Sequence, residues 1–271
     1  MKLQIELTTK CQCKCTFCIR HIEPLPTAGK IIEDALFTKI LNDAKEFNIT
    51  LIYLTGLGET FLDPGLERKV KQVRSELGDK LHLGIYTNGM LATKDKVEAL
   101  YKAGMNEIYF SLNAATPEMW TQIMGVKDGN QYKKVVQNIN DALSIHGLTV
   151  HVTSVTSAQW IDPHEVEGLM SKYSPNVLHM VRGGNWAGKI YPLDYKPLGG
   201  CRWIDDHYIY VNIEGEVCLC CFDPYGQHSF GNVKKESLEN IYWGEKRQEF
   251  INKIKQEGRK DVKPCKHCST I

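Results

Sequence analysis

Six short Val/Ile/Leu-rich runs lie before residue 182, separated by amphipathic stretches, and few folds accommodate that rhythm. Leu3, Ile5 and Leu7 alternate as in a strand, whereas Leu36, Ile40, Ala44 and Phe47 recur on one helical stripe. Further strands are expected at 51–54, 81–86, 108–112, 149–155 and 177–181, with helices at 66–77, 97–103, 132–143 and 163–173. Gly104 stands just past one helix, in the place of a left-handed C-cap, and Gly147 stops another. Strands alternating with helices in this way predict a parallel sheet covered by helices. In a sheet curled toward a barrel, functional groups belong at the carboxyl ends of the strands.

The rhythm stops at Arg182-Gly183-Gly184-Asn185-Trp186-Ala187-Gly188. A hairpin follows, 208–213 and 216–221 around Glu214-Gly215, then helical stretches at 238–243 and 245–256. The expected division is a larger domain over residues 1–185 and a smaller α+β domain over 186–271.

Cysteines carry the chemistry. Four of the ten fall within Cys11-Gln12-Cys13-Lys14-Cys15-Thr16-Phe17-Cys18, on the loop leaving the first strand. Cys11, Cys15 and Cys18 form C-x3-C-x2-C, three soft ligands in one tight loop with no local fourth, as expected when one iron of a cluster must bind substrate. Structural zinc prefers a closed tetrahedron of paired ligands, and no second pair lies nearby. Cys13 is expected to face away if neighbouring positions alternate. Cys201, Cys220, Cys265 and Cys268 form a second set, able to close either a 4Fe-4S cluster or a zinc site. Within the hairpin Cys218 and Cys220 would share a strand face and Cys221 the other, so the spacing leaves the hairpin ligand open among them.

From the cysteine loop onward the chain resembles the radical S-adenosylmethionine (SAM) enzymes, in which an aromatic residue, here Phe17, precedes the last cysteine. The resemblance implies a partial (β/α)6 TIM-like barrel in which Cys11, Cys15 and Cys18 hold a 4Fe-4S cluster chelated by SAM. Gly56-Leu57-Gly58-Glu59-Thr60 looks like the family's Gly-Gly-Glu-type motif, with Gly58 letting the backbone approach and Glu59 accepting the SAM ammonium. Leu57 lies between the glycines and Thr60 replaces a common proline. Ser111-Leu112-Asn113 is similar to the polar pair that contacts ribose and carboxylate, and Asn88 and Thr156 end neighbouring strands. The spacing Cys201, Gly215, Cys220, Cys265-x2-Cys268 resembles the twitch form of the SPASM domain, which holds one auxiliary 4Fe-4S cluster.

The implied activity is reductive cleavage of SAM to a 5′-deoxyadenosyl radical that abstracts hydrogen from substrate. An auxiliary cluster able to accept a second electron points to a dehydrogenase or oxidase, and the layout is similar to the family's aminocyclitol dehydrogenases. A small polar, carbohydrate-like metabolite is the expected substrate. Arg182 is the candidate to bind or help deprotonate its hydroxyl, with His179 and His151 as alternatives. Peptide or protein side-chain modification is the second reading, and a non-catalytic iron-sulfur carrier the third. An external one-electron reductant such as flavodoxin or ferredoxin is expected. A formal net charge of +1 gives no argument for nucleic acid, and no apolar run approaches a membrane span. A strand starting within three residues of Met1 leaves no room for a signal peptide, and unpaired cysteines suit the reducing cytoplasm.

Overall fold

The computed structural model describes residues 1–156, 163–173, 178–182, 185–190, 200–223 and 225–268, with backbone alone at 155–156, 163–164, 166 and 178–182. In chain order the elements are β1 (Lys2–Ile5), α1 (Asp34–Ala44), β2 (Leu51–Leu54), α2 (Leu66–Leu77), β3 (His82–Thr87), α3 (Lys94–Lys102) and β4 (Glu107–Ser111). Then come α4 (Pro117–Met124), α5 (Asn130–Leu143), β5 (Thr149–Thr156), α6 (Pro163–Tyr173) and β6 (Leu178–Arg182). The C-terminal part holds α7 (Arg202–Asp205), β7 (Tyr208–Val211), β8 (Glu216–Cys218), β9 (Ser229–Asn232), α8 (Leu238–Trp243) and α9 (Glu245–Glu257).

The nine strands among the described residues form one sheet in the order β6-β5-β4-β3-β2-β1-β7-β8-β9. β1 to β6 are parallel, as the strand-helix alternation predicts, and β6 and β9 are the sheet's two edges. The expected break at 185/186 is not a break in the sheet. β7 adds to β1 in parallel, Leu3 opposite Ile209 and Ile5 opposite Val211, and only then does the hairpin turn antiparallel.

The period of two divides the strands into two faces. Leu3, Ile5, Ile52, Leu54, Leu83, Ile85, Ile108 and Phe110 pack with Phe37, Ile40, Val70 and Val97 of the helices in one core. The aliphatic composition holds for that face alone: the intervening positions are Gln4, Tyr53, Tyr86, Glu107 and Tyr109. Three elements have no counterpart in the sequence reading, α4, α7 and β9. α4 does carry a start signal, since Thr116 caps it through Met119 N and Pro117 opens it.

Candidate functional site

The cysteine loop is seated by neighbours distant in sequence. Lys14 N donates to Met124 O at 3.0 Å and Thr16 N to Ile123 O at 3.0 Å, so the end of α4 fixes the middle of the loop. Gly125 ends α4 at φ 61°, and a Cβ there would stand 2.1 Å from Lys14 O. Glu59 N donates to Lys10 O at 2.7 Å, joining the loop after β2 to the same segment.

Cys11, Cys15 and Cys18 line a cavity of about 360 Å³ over the carboxyl ends of the strands. Cys13 does not face away. It lines the same cavity, its sulfur lies 3.6 Å from Met90 Sδ, and its thiol contacts those of Cys11 and Cys15. The reason is that the strand ends at Ile5, so the loop has no period of two to turn Cys13 outward. Contact with Cys13 and then burial push the Cys11 thiol up, and burial does the same for Cys18, so metal must displace their protons. No three His, Cys, Asp or Glu side chains among the described residues converge on a point for a single ion. The fit to a cluster therefore rests on three soft donors opening on one cavity, and those donors suit iron-sulfur chemistry.

The Gly56–Thr60 loop packs differently from the ligand-approach expectation. A Cβ on Gly58 would lie 2.3 Å from Thr8 O and 2.6 Å from Lys10 O, and one on Gly56 2.3 Å from Glu6 Cγ. Both glycines thus permit close approach to the protein's own chain at the exit of β1, although Gly58 also borders the cavity. Glu59 is 2% exposed and already accepts three hydrogen bonds, from Thr87 Oγ1 at 2.7 Å, Asn88 N at 2.7 Å and Phe61 N at 3.1 Å. A carboxylate offers roughly four acceptor sites, so about one remains for a ligand's ammonium. Burial raises the Glu59 carboxyl above the ordinary range despite these donors. Thr60, in the proline's place, donates to Leu54 O at 3.3 Å, a bond proline could not make.

Asn88 stands beside the cysteines, its Nδ2 3.9 Å from Cys11 Sγ, while its Oδ1 accepts from Gln12 Nε2 and Met90 N. Ser111 and Asn113 line the cavity, with Asn113 in the left-handed region at φ 65°, which asparagine tolerates. Phe17 lines it too, and its carbonyl accepts from Trp186 Nε1 at 2.8 Å. Thr156 and Arg182 pair in register where β5 and β6 end, but their side chains, and that of His179, lie outside the described residues. His151 sits lower in β5, stacked on Tyr109 and 3.6 Å from Glu107, away from the cysteine loop. It does not line the cavity.

Cys201, Cys220, Cys265 and Cys268 line a second, small cavity of about 20 Å³. Burial raises the Cys201 and Cys220 thiols, and Cys265 to about 12. The hairpin parity differs from the expectation: β8 ends at Cys218 beside a register shift, so the alternation lapses there. Cys218 and Cys221 pack with Tyr208 and Tyr210, whereas Cys220 turns toward Cys265. Cys221 opens instead on the large cavity. Trp203 and Phe222 line both cavities and form a shared wall. Sequence reasoning missed that wall and the lining residues Gln4, Tyr53, Tyr86, Tyr208 and Tyr210. Their signal was present, as polar or aromatic residues at alternate strand positions.

A family model described as the Radical SAM superfamily matches residues 5–161, and one described as an iron-sulfur cluster-binding domain, SPASM, matches residues 201–269. The tungsten-containing aldehyde ferredoxin oxidoreductase cofactor-modifying protein of Pyrococcus furiosus is 23% identical over 90% of this chain and 81% of its own length. The PqqA peptide cyclase of Gluconobacter oxydans is 31% identical over 50% of the chain, which spans 36% of that protein. Among solved structures, BtrN in complex with AdoMet and 2-DOIA superposes with a TM-score of 0.71 at 17% identity, over 100% of this chain and 93% of that one. Streptococcus suis SuiB bound to precursor peptide SuiA gives 0.69 at 16% identity, over 98% and 69%. The chain belongs to the radical SAM superfamily, with the 4Fe-4S cluster and SAM of that family and, behind the barrel, a SPASM domain for an auxiliary iron-sulfur cluster.

Proposed function

We propose that this radical SAM enzyme is an oxidoreductase that removes two electrons from a small, hydroxyl-bearing polar metabolite. The observation that carries the reading is the shared wall: Trp203 and Phe222 border both the large cavity and the small cavity of the second cysteine set. A substrate held in the large cavity is thus separated from an electron acceptor by one layer of aromatic side chains. The cluster and SAM, when bound, supply the hydrogen-abstracting radical. In the balance for an alcohol, one hydrogen atom leaves the carbinol carbon, one proton the hydroxyl and one electron the resulting radical, leaving a carbonyl; a cluster held by Cys201, Cys220, Cys265 and Cys268 would supply the acceptor for that electron.

The chain's own residues hold and enclose the substrate. Cys11, Cys15 and Cys18 present thiolates to the first cluster, and Cys201, Cys220, Cys265 and Cys268 to the second. Glu59, Gly58, Asn88, Ser111, Asn113 and Phe17 frame SAM, and Arg182 and Thr156, ending adjacent strands, are assigned to the hydroxyl and the cofactor. The large cavity opens beside Cys221 on the auxiliary side. The likeness to BtrN with bound AdoMet and 2-DOIA supports a small-molecule substrate, while SuiB and the PqqA peptide cyclase keep peptide modification as the second reading. Reduction by a flavodoxin or ferredoxin in the cytoplasm completes the proposal. Among the described residues no helix is long and apolar enough to cross a membrane.

The test uses the anaerobically reconstituted protein with SAM and dithionite, challenged with aminocyclitols, nucleosides and short peptides. The expected result is a substrate whose product lacks two hydrogen atoms, and whose formation stops in Cys265→Ala/Cys268→Ala while 5′-deoxyadenosine still forms. Product at the wild-type rate from a folded double variant would make the second cluster structural and overturn the oxidoreductase reading.

A further inference from the structure

Register across the sheet builds a column of rings. Tyr86 pairs with Tyr109 across β3 and β4, and Tyr109 with His151 across β4 and β5, so three side chains point to the same face at the same height. The rings stack, Tyr86 on Tyr109 at 4.3 Å and 10°, and Tyr109 on His151 at 4.3 Å and 16°. Of the three only Tyr86 lines the large cavity, so the column ends there, flanked edge-on by Tyr53 at 5.5 Å. On the C-terminal side the cavity is walled by Trp203, which packs edge-on with Tyr208 at 4.3 Å and lies near Phe222 at 6.4 Å.

Several polar groups among these rings are already engaged, whereas Trp203 Nε1 is buried without a hydrogen-bond partner among the described residues. Gln4 accepts from the Tyr208 hydroxyl and donates from Nε2 to Thr55 O at 3.1 Å. The Tyr53 hydroxyl lies 3.3 Å from that of Tyr109, which donates to Glu107 Oε2 at 3.2 Å. A polyol pushed against this wall would find Trp203 Nε1 for one hydroxyl and leave most of the others without partners, whereas a flat conjugated ring needs none on its faces.

We infer that the substrate of this cavity carries a flat heteroaromatic ring, of nucleobase or pteridine size, which seats between the Tyr86 column and the Trp203 wall. The hydroxyl to be oxidised then belongs to a substituent of that ring rather than to a free sugar or cyclitol. The inference rests on the proposed reading of the cavity as the substrate site, and it adds the class of molecule.

The test is equilibrium dialysis of the anaerobically reconstituted holoenzyme at saturating SAM without reductant, using guanosine, neopterin, myo-inositol and N-acetyltryptophanamide as probes. Guanosine or neopterin should bind at least tenfold more tightly than myo-inositol and more tightly than N-acetyltryptophanamide. Trp203→Leu and, separately, Tyr86→Leu should lower that affinity at least tenfold, with circular dichroism as the check on folding. Tighter binding of myo-inositol would overturn the inference, as would a ring that competes with SAM and so occupies the adenine's place. Preference for N-acetyltryptophanamide would overturn it in favour of a peptide. The ranking by the unsubstituted protein decides the matter even where a variant does not fold. Failure of the underlying reading is a separate result: the reduced protein would yield no 5′-deoxyadenosine whichever probe it binds.

Discussion

Replacing Glu59 by alanine tests whether this carboxylate serves the ligand or the fold. The substitution strands three donors, Thr87 Oγ1, Asn88 N and Phe61 N, which now point at a side chain that is 2% exposed. An unsatisfied buried donor costs about 1–3 kcal/mol. The Thr87 hydroxyl can rotate to another acceptor, and Phe61 is only half-buried and can reach water, so the Asn88 amide bears most of the loss. The sum is about 2–4 kcal/mol, a fall of roughly thirty-fold to several hundred-fold in the folding constant. Glu59→Gln keeps one oxygen for two donors but turns an amide NH2 toward Asn88 N, and should cost about 1–2 kcal/mol. The assay is anaerobic urea unfolding followed by far-ultraviolet circular dichroism, paired with SAM binding by equilibrium dialysis. SAM affinity lost with less than about 0.5 kcal/mol of stability lost would refute this reasoning, because the three bonds would then be worth far less than their burial implies.

Changing Cys11, Cys15 and Cys18 together to alanine should halve a reconstituted content of about eight iron per chain and abolish 5′-deoxyadenosine formation, read by iron assay and chromatography. Gly58→Ala, whose Cβ would meet Thr8 O at 2.3 Å, should destabilise the fold by about 1–3 kcal/mol in the same unfolding assay and reduce iron at the first site. Burial raises the carboxyls of Glu6 and Glu59 above the ordinary value of 4.5, so the unfolded chain ionises first. Their contribution to stability is complete below pH 4.5 and is lost as pH rises through their folded values, so Glu6→Gln should flatten that decline in urea midpoints measured against pH.

Much of the fold was legible because its signals are local. The strand at 51–54 and the helices at 66–77, 163–173 and 238–243 fall where periodicity put them, since each carries its own apolar stripe or run. α4 was missed although Thr116 and Pro117 announce it, because it is only eight residues long and lies in the same connection as the more strongly patterned α5. β9 was missed for another reason. Ser229-Phe230-Gly231-Asn232 has no apolar alternation, and it is a strand because Glu216 and Val217 offer it a ladder.

The cysteine spacings were legible for the same local reason, but the space between the two cysteine sets was not. That space depends on which face of each strand looks inward and on where alternation stops, and both are decided by pairing. Cys218 packs on the side of Cys221 rather than with Cys220, as a continuing strand would have placed it, because β8 ends at Cys218. Glu6 shows how pairing also ties the halves together. One residue beyond β1, its Oε1 accepts from Leu57 N at 2.9 Å and its Oε2 from Ile213 N at 3.0 Å. A single buried carboxylate thus fixes the loop carrying Glu59 and the hairpin leading to Cys220 against the same strand exit. Any movement of the hairpin relative to the barrel must first break the bond from Ile213 N to Glu6.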